Sequence, residues 1–78
     1  MRVKIEMQRL APDMEAATII DWVKQIGDEV AVGDVIVEIG TDKIDVEMEA
    51  MDAGTLAEIV HGSDAEVPVG EVIGWLEQ

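Results

Sequence analysis

The residue of this sequence best suited to chemistry is a single lysine surrounded by carboxylates. Lys43 follows Thr41 and Asp42, precedes Ile44, and stands between two runs in which acidic and apolar residues alternate. Because only 5 of the 78 residues are basic while 18 are acidic, we interpret this lysine as a covalent attachment site. The alternative is an ordinary solvated turn lysine that pairs with Asp42 or Asp45, an interaction of about 0–1 kcal/mol.

The remaining polar residues do not form a catalytic pattern. The chain has no cysteine and one histidine, His61, with Ser63 beside it in the same turn-like segment, whereas a nucleophilic triad converges from separate segments. Asp45, Glu47 and Glu49 alternate along one predicted strand, which is typical of a solvated face. No histidines or cysteines have the spacing of metal ligands. We therefore expect this chain to perform no catalysis of its own.

The charge of the chain disfavours several classes of partner. A net charge of −13 opposes binding to nucleic acid and to anionic membranes. It also makes copies of the domain repel one another, so we expect a soluble monomer.

No segment approaches the roughly 20 apolar residues of a membrane span, and the first residues lack the apolar core of a signal peptide. The expected location is the cytoplasm of a bacterium or, as the second possibility, the mitochondrial matrix.

The two halves of the chain resemble each other at an offset of 37 residues. Residues 29–36 (EVAVGDVI) return as residues 66–73 (EVPVGEVI), and the same offset aligns 16–19 with 53–56. A match spread over this much of each half predicts a single domain, residues 1–78, with approximate two-fold internal symmetry.

Hydrophobic periodicity predicts an all-β domain. Branched apolar residues are frequent in 17–23 and 54–60, while acidic and apolar residues alternate over much of 35–39 and 44–48, as in half-buried strands. Turn signals separate these runs by about eight to twelve residues, which is typical of a small sandwich or barrel. The best helical candidate, 20–26, is too short and is stopped by a glycine.

The turns carry three further expectations. Pairing of 35–39 with 44–48 places Asp42 and Lys43 at the centre of a β-turn, with the lysine projecting into solvent. Gly33 and Gly70 occupy equivalent tight turns and are expected to need positive φ.

The offset of 37 makes Glu6 the counterpart of Lys43. The core-facing residues predicted for the two paired strands are Val35, Val37, Ile39, Ile44, Val46 and Met48.

Motifs spread along the whole chain match one known family. They are Thr41-Asp42-Lys43-Ile44, Ala53-Gly54-Thr55-Leu56-Ala57-Glu58-Ile59, Val67-Pro68-Val69-Gly70, Gly27-Asp28-Glu29-Val30 and Val32-Gly33-Asp34. Together they resemble the biotinyl/lipoyl carrier family, and within it the lipoyl domains of the acyltransferase components of 2-oxo acid dehydrogenase complexes. The resemblance implies a flattened β-barrel or sandwich of two four-stranded antiparallel sheets, with internal two-fold pseudo-symmetry and with the lipoyl-lysine at a hairpin turn.

The resemblance also implies a function. Lys43 would carry lipoic acid in amide linkage, with Asp42 and Ile44 as flanking recognition residues of the turn. The arm would serve a thiamine-dependent 2-oxo acid decarboxylase, an acyltransferase core and dihydrolipoyl dehydrogenase, after attachment by a lipoate ligase or lipoyl transferase. The domain, residues 1–78, would be the N-terminal module of a longer acyltransferase.

Other members of the same fold define the alternative. A biotin carrier domain of a carboxylase brackets its lysine with methionines, whereas this chain has Asp42 and Ile44. The chain also departs from the usual lipoyl pattern in 7–11, in 15–18 and at Gly40, where glutamate is common. These departures lie in loops thought to be read by partner enzymes, and they leave the cognate complex open.

Overall fold

The computed structural model describes residues 1–78 and contains eight β-strands and no helix. The strands are β1 (Arg2–Glu6), β2 (Ala16–Trp22), β3 (Glu29–Val30), β4 (Val35–Gly40), β5 (Asp45–Glu49), β6 (Gly54–Ile59), β7 (Glu66–Pro68) and β8 (Val72–Glu77). The all-β prediction is confirmed, and the four predicted strands begin and end within one residue of the observed ones.

The strands form two four-stranded antiparallel sheets, as the resemblance implied. One sheet has the order β1-β8-β6-β3, and the other, which we call the lysine sheet, has the order β5-β4-β2-β7. Strands β1–β4 come from the first half of the chain and β5–β8 from the second. Each half therefore contributes two strands to each sheet, so the two halves are interleaved rather than side by side.

The core lies between the sheets and is purely apolar. It contains 15 buried side chains and no buried polar or charged residue. Period-two alternation accounts for much of it: Ala17 and Ile19 of β2 point inward, as do Val67 of β7 and Met48 of β5. With no Phe or Tyr in the chain, isoleucine, valine, leucine, alanine and methionine fill the space.

The internal repeat is reproduced in backbone hydrogen bonds. The Gly27 N–H donates to the Leu56 carbonyl at 2.8 Å, and 37 residues later the Asp64 N–H donates to the Ile19 carbonyl at 2.7 Å. Both donors have positive φ, 98° for Gly27 and 74° for Asp64. The sequence repeat is therefore a repeat of conformation, including a left-handed residue at the same place in each half.

The prediction that Glu6 is the counterpart of Lys43 is wrong. Strand β1 pairs with β8 as β5 pairs with β4, and this registers Glu6 opposite Val72 and Glu49 opposite Val35. The offset is 37 residues for β2, β3 and β4 but 43 for β1. The difference of six residues lies between β1 and β2, because Ala17 follows Glu6 by 11 positions whereas its counterpart Gly54 follows Glu49 by 5.

The true counterpart of the lysine turn is the meeting point of the two chain ends. The Thr41 N–H donates to the Ile44 carbonyl at 2.8 Å, and the Gln78 N–H donates to the Met1 carbonyl at the same distance. The hydrogen bond that closes the lysine turn is thus repeated between the ends of β8 and β1, two strands that no turn connects.

One residue assigned to the core from the sequence is a surface residue. Ile44 is 47% exposed, because β5 begins at Asp45 and Ile44 still belongs to the turn. A register shift between Val35 and Val37 also turns Ile36 inward, where it is 1% exposed. Strict alternation fails at both places because a turn or a bulge replaces regular pairing.

The turns at Gly33 and Gly70 have the predicted conformation. Their φ angles are 90° and 93°, and a Cβ added at either residue would meet no atom within 4 Å. Backbone conformation, and not lack of space, is therefore what favours glycine at these positions.

Substitution of Gly33 by alanine should isolate this conformational cost. We expect Gly33→Ala to lower the free energy of unfolding in urea by about 1–2 kcal/mol, the cost of an L-residue in the left-handed region. Gly62→Ala is the matched control, because Gly62 has open space around it and no positive φ. Equal losses in the two variants would contradict this account.

A carboxylate holds the turn between β3 and β4. Asp34 Oδ2 accepts the Ala31 N–H at 2.9 Å and lies 3.5 Å from Lys24 Nζ. The backbone hydrogen bond from Ala31, with help from Lys24, lowers the pKa of Asp34 below its ordinary value. The equivalent of Ala31 in the second half is Pro68, which has no N–H to donate.

The stabilising effect of Asp34 should depend on pH. A carboxyl group whose pKa is lowered by folding stabilises the fold above its unfolded pKa of about 3.9 and loses that effect as pH falls through the lower folded value. We expect Asp34→Asn to lower the melting temperature at neutral pH and the deficit to shrink steadily below pH 4 or so. Glu47→Gln, which removes a carboxylate with no ion pair, is the control; a deficit that persists unchanged in acid would oppose this assignment.

Candidate functional site

Thr41 closes the hairpin that carries Lys43. Gly40 and Asp45 form the last paired residues of β4 and β5. Beyond them, Thr41 donates its N–H to the Ile44 carbonyl, and its hydroxyl oxygen accepts the N–H groups of Lys43 at 3.3 Å and Ile44 at 3.2 Å. The chain reversal predicted at 41–44 is confirmed, and Thr41 pairs with the N–H groups of Lys43 and Ile44 and with the Ile44 carbonyl.

The Lys43 side chain extends into solvent. It is 73% exposed, and its only ion pair is with Asp13, at 3.7 Å from Nζ to Oδ2. Neither Asp42 nor Asp45, the partners considered from the sequence, pairs with it. Because Asp13 is itself 78% exposed, the pair contributes about 0–1 kcal/mol, and the amine remains accessible to a modifying enzyme.

The long loop between β1 and β2 lies beside the lysine turn. A cleft between them is lined on the loop side by Ala11, Asp13 and Met14 and on the turn side by Asp42 and Ile44. The six residues by which this loop exceeds its counterpart therefore lie where they can flank the lysine. Sequence reasoning missed Asp13 as a neighbour of Lys43, although the unequal spacing of the repeat was a signal that could have indicated this loop.

Internal contacts give this loop a defined shape. Met14 is 5% exposed, and its carbonyl accepts a hydrogen bond from Arg9 Nη1 at 2.8 Å. The Leu10 N–H lies 3.4 Å from the Met14 sulfur, and Gln8 Nε2 donates to the Glu49 carbonyl at 3.0 Å. Met14 thus anchors the loop in the core while Asp13 beside it remains on the surface.

The other candidate residues serve the fold or the surface. His61 Nε2 lies 2.6 Å from Glu71 Oε2, which repeats the contact of Lys24 with Asp34 at an offset of 37. Asp45, Glu47 and Glu49 are exposed along β5, an edge strand, and form no ion pairs. No three His, Asp or Glu side chains converge as metal ligands. The structure has no helix of the length and apolarity that a membrane crossing would require.

The site fits a group attached covalently through an amide. An exposed amine on a turn closed by its own hydrogen bonds offers one reactive atom and no enclosing pocket. The neighbouring carboxylates could not bind an anionic ligand by themselves, but they do not block the amine.

The family model described as "Biotin-requiring enzyme" matches residues 3–76. In sequence, the chain is 49% identical over 71 residues to dihydrolipoyllysine-residue acetyltransferase component 2 of the mitochondrial pyruvate dehydrogenase complex of Arabidopsis thaliana. It is 39% identical over 75 residues to the dihydrolipoyllysine-residue succinyltransferase component of the 2-oxoglutarate dehydrogenase complex of Bacillus subtilis. These matches cover 90% and 96% of the chain but only 13% and 18% of the two relatives.

The fold matches a solved structure over nearly its whole length. The lipoyl domain of the 2-oxoglutarate dehydrogenase complex from Azotobacter vinelandii superposes with a TM-score of 0.70 and is 32% identical. The match covers 95% of this chain and 96% of that one. The chain therefore belongs to the biotinyl/lipoyl domain family, within which it is similar to the lipoyl domains of the acyltransferase components of 2-oxo acid dehydrogenase complexes.

Proposed function

We propose that Lys43 carries lipoic acid in amide linkage and that the domain is the mobile acyl carrier of a 2-oxo acid dehydrogenase complex. The observation that carries this proposal is the exposed amine of Lys43 at the tip of a hydrogen-bonded hairpin, between Asp42 and Ile44, in a chain of the lipoyl family. A bound lipoyl group supplies a dithiolane whose disulfide is reduced as it takes up an acyl group.

The residues of the chain present the arm and perform no bond-making themselves. Thr41 fixes the base of the arm through its backbone and hydroxyl contacts. Amide formation removes the charge of Lys43 and with it the ion pair to Asp13. Because that pair is exposed and contributes about 1 kcal/mol at most, modification should leave the fold intact.

The proposed partners follow from the reactions that such an arm serves. They are a thiamine-dependent 2-oxo acid decarboxylase, an acyltransferase core, dihydrolipoyl dehydrogenase, and the lipoate ligase or lipoyl transferase that attaches the arm. The matched stretch is a small part of the acetyltransferase and succinyltransferase relatives. We therefore propose that this domain is a module, at the N-terminus, of a longer acyltransferase whose core supplies the catalysis. Its location would be the bacterial cytoplasm or the mitochondrial matrix.

The second candidate function is a biotin carrier domain of a carboxylase, since the matching family model is named for biotin. The side chains beside the lysine oppose it. Asp42 is a charged residue and Ile44 a branched one, whereas biotin carriers resemble one another in having methionine at both positions. The lipoyl function is therefore the better supported of the two.

Loss of the Lys43 amine should abolish modification. When the chain is co-expressed with a lipoate ligase and supplied with lipoate, we expect wild type to gain the mass of one lipoyl group and Lys43→Arg to gain none. Lys4→Arg is the matched control, because Lys4 is also exposed and also pairs with a carboxylate. A lipoyl-sized gain that survives in Lys43→Arg would overturn the assignment of the site.

The choice of cofactor can be tested by competition. When lipoate ligase and biotin ligase are both present with their substrates, we expect the domain to react with an antibody against lipoate and not with streptavidin. Lys43→Arg should react with neither reagent. Labelling of wild type by streptavidin alone would favour the carboxylase function.

A further inference from the structure

An isoleucine beside the lysine turn lies outside the regular pairing of its strand. The register of β2 with β4 passes from Ile19 opposite Ile39 to Asp21 opposite Glu38, which leaves Ile20 as the extra residue of a β-bulge. Ile20 is 37% exposed. Bulges re-aim side chains and are frequent beside functional sites, so the surroundings of this side chain are informative.

Ile20 covers a glycine at the base of the lysine turn. A Cβ placed on Gly40 would lie 2.9 Å from Ile20 Cδ1 and 2.9 Å from Asp45 Oδ1. The φ angle of Gly40 is not positive, unlike those of Gly27, Gly33 and Gly70. Space is therefore the reason for glycine at this position: its missing side chain lets Ile20 lie over the backbone that leads to Lys43.

The second half of the domain shows that the fold does not require this arrangement. The bulge recurs in β6, where Ala57 is the extra residue between Leu56 and Glu58. The counterpart of Gly40 is Glu77, whose carboxylate lies 3.8 Å from Arg2 and 3.3 Å from the amino terminus. The fold thus accepts alanine at the bulge and a full side chain beside it, and only the lysine end has the isoleucine–glycine pair.

The hollow beside Ile20 is lined by both apolar side chains and carboxylates. The hollow is lined by Ala16 and Thr18 as well as Ile20, and by the carboxylates of Asp42, Asp45 and Glu66. None of these three carboxylates forms an ion pair. An exposed apolar side chain that shares a hollow with unpaired charges of one sign fits a partner surface that presents an apolar side chain and lysine or arginine.

We propose that Ile20, seated over Gly40, is a specificity-determining contact for the thiamine-dependent decarboxylase that acylates the arm. This inference rests on the proposed function, because a partner that receives the arm of Lys43 must bring its active-site rim against the surface around the base of that arm. The decarboxylase is the component that selects the 2-oxo acid, so a contact that the fold itself does not require can contribute to that selection there. The rim would present an apolar side chain to Ile20 and cationic side chains to Asp45 and Glu66.

The experiment compares modification with acylation in the same variants. Wild type, Ile20→Ala and Val23→Ala are lipoylated on Lys43, and intact mass establishes full modification before any further measurement. Each domain is then offered to purified pyruvate, 2-oxoglutarate and branched-chain 2-oxo acid decarboxylases with their substrates. Ala57 indicates that Ile20→Ala folds, and Val23 is a matched control because it is a 54% exposed apolar residue just after the end of β2 and does not line the hollow.

We expect Ile20→Ala to lower kcat/KM for reductive acylation by the preferred decarboxylase about fivefold or more, mainly through KM, as loss of a central apolar contact does. Val23→Ala should remain within about twofold of wild type, and so should the rate at which lipoate ligase modifies all three domains. Unchanged acylation of Ile20→Ala, or an equal loss in the ligase reaction, would overturn the proposal. The proposal would also fail if no decarboxylase acylated the wild-type domain better than free lipoamide. The intact mass of the domain would in that case still show that Lys43 is lipoylated.

Gly40→Ala provides a second, independent variant. Its new methyl group meets only the ends of flexible side chains, those of Ile20 and Asp45, so the fold should adjust by moving Ile20. We expect the same direction of change as for Ile20→Ala, and little further loss when Gly40→Ala is added to Ile20→Ala, because the displaced side chain is then already absent. Full additivity of the two losses would indicate that Gly40 acts without Ile20 and would contradict the proposed contact.

Discussion

The apolar space between the two sheets can be closed only by both halves of the chain together. Each half places two strands in each sheet, so the inward side chains of one half pack against strands that belong to the other. Neither half has a sheet of its own with four strands to cover its apolar face. The connection between the halves is the hairpin of β4 and β5, and Lys43 lies at its tip. The position of the lysine is therefore fixed by the burial that stabilises the whole domain.

The same arrangement separates the rigidity of the backbone from the freedom of the side chain. Thr41 pairs with the N–H groups of Lys43 and Ile44 and with the Ile44 carbonyl, and Met48 of the adjoining strand is fully buried. The lysine side chain itself makes one exposed ion pair, with Asp13. Since exposed pairs contribute little to stability, the domain can lose the charge of Lys43 without losing its structure. This is what a carrier of a covalent arm requires.

The sequence was sufficient for four of the eight strands, the repeat and the lysine turn, because each leaves a direct pattern in the sequence. Alternation located β4 and β5 to within one residue, and Gly33 in its repeated Val-x-Val setting indicated a left-handed turn. The errors arose where one offset or one period was extended too far. The six additional loop residues shift β1 out of the 37-residue register, which misplaced Glu6. The turn extends into the start of the second alternating run, and this is why Ile44 was misplaced. The contact of Asp13 with the lysine depends on a loop path that no periodicity encodes.

Several departures from symmetry lie beside the lysine. Where the two halves agree in the left-handed residues Gly27 and Asp64, the shared feature is one that the backbone needs. Where the two halves differ, the fold tolerates either residue, because each residue is already present in one of the halves. The bulge contains Ile20 in one half and Ala57 in the other, and the longer loop is found only next to Lys43. Features that the fold does not require, and that cluster around its one exposed turn lysine, are best explained by what that lysine must meet.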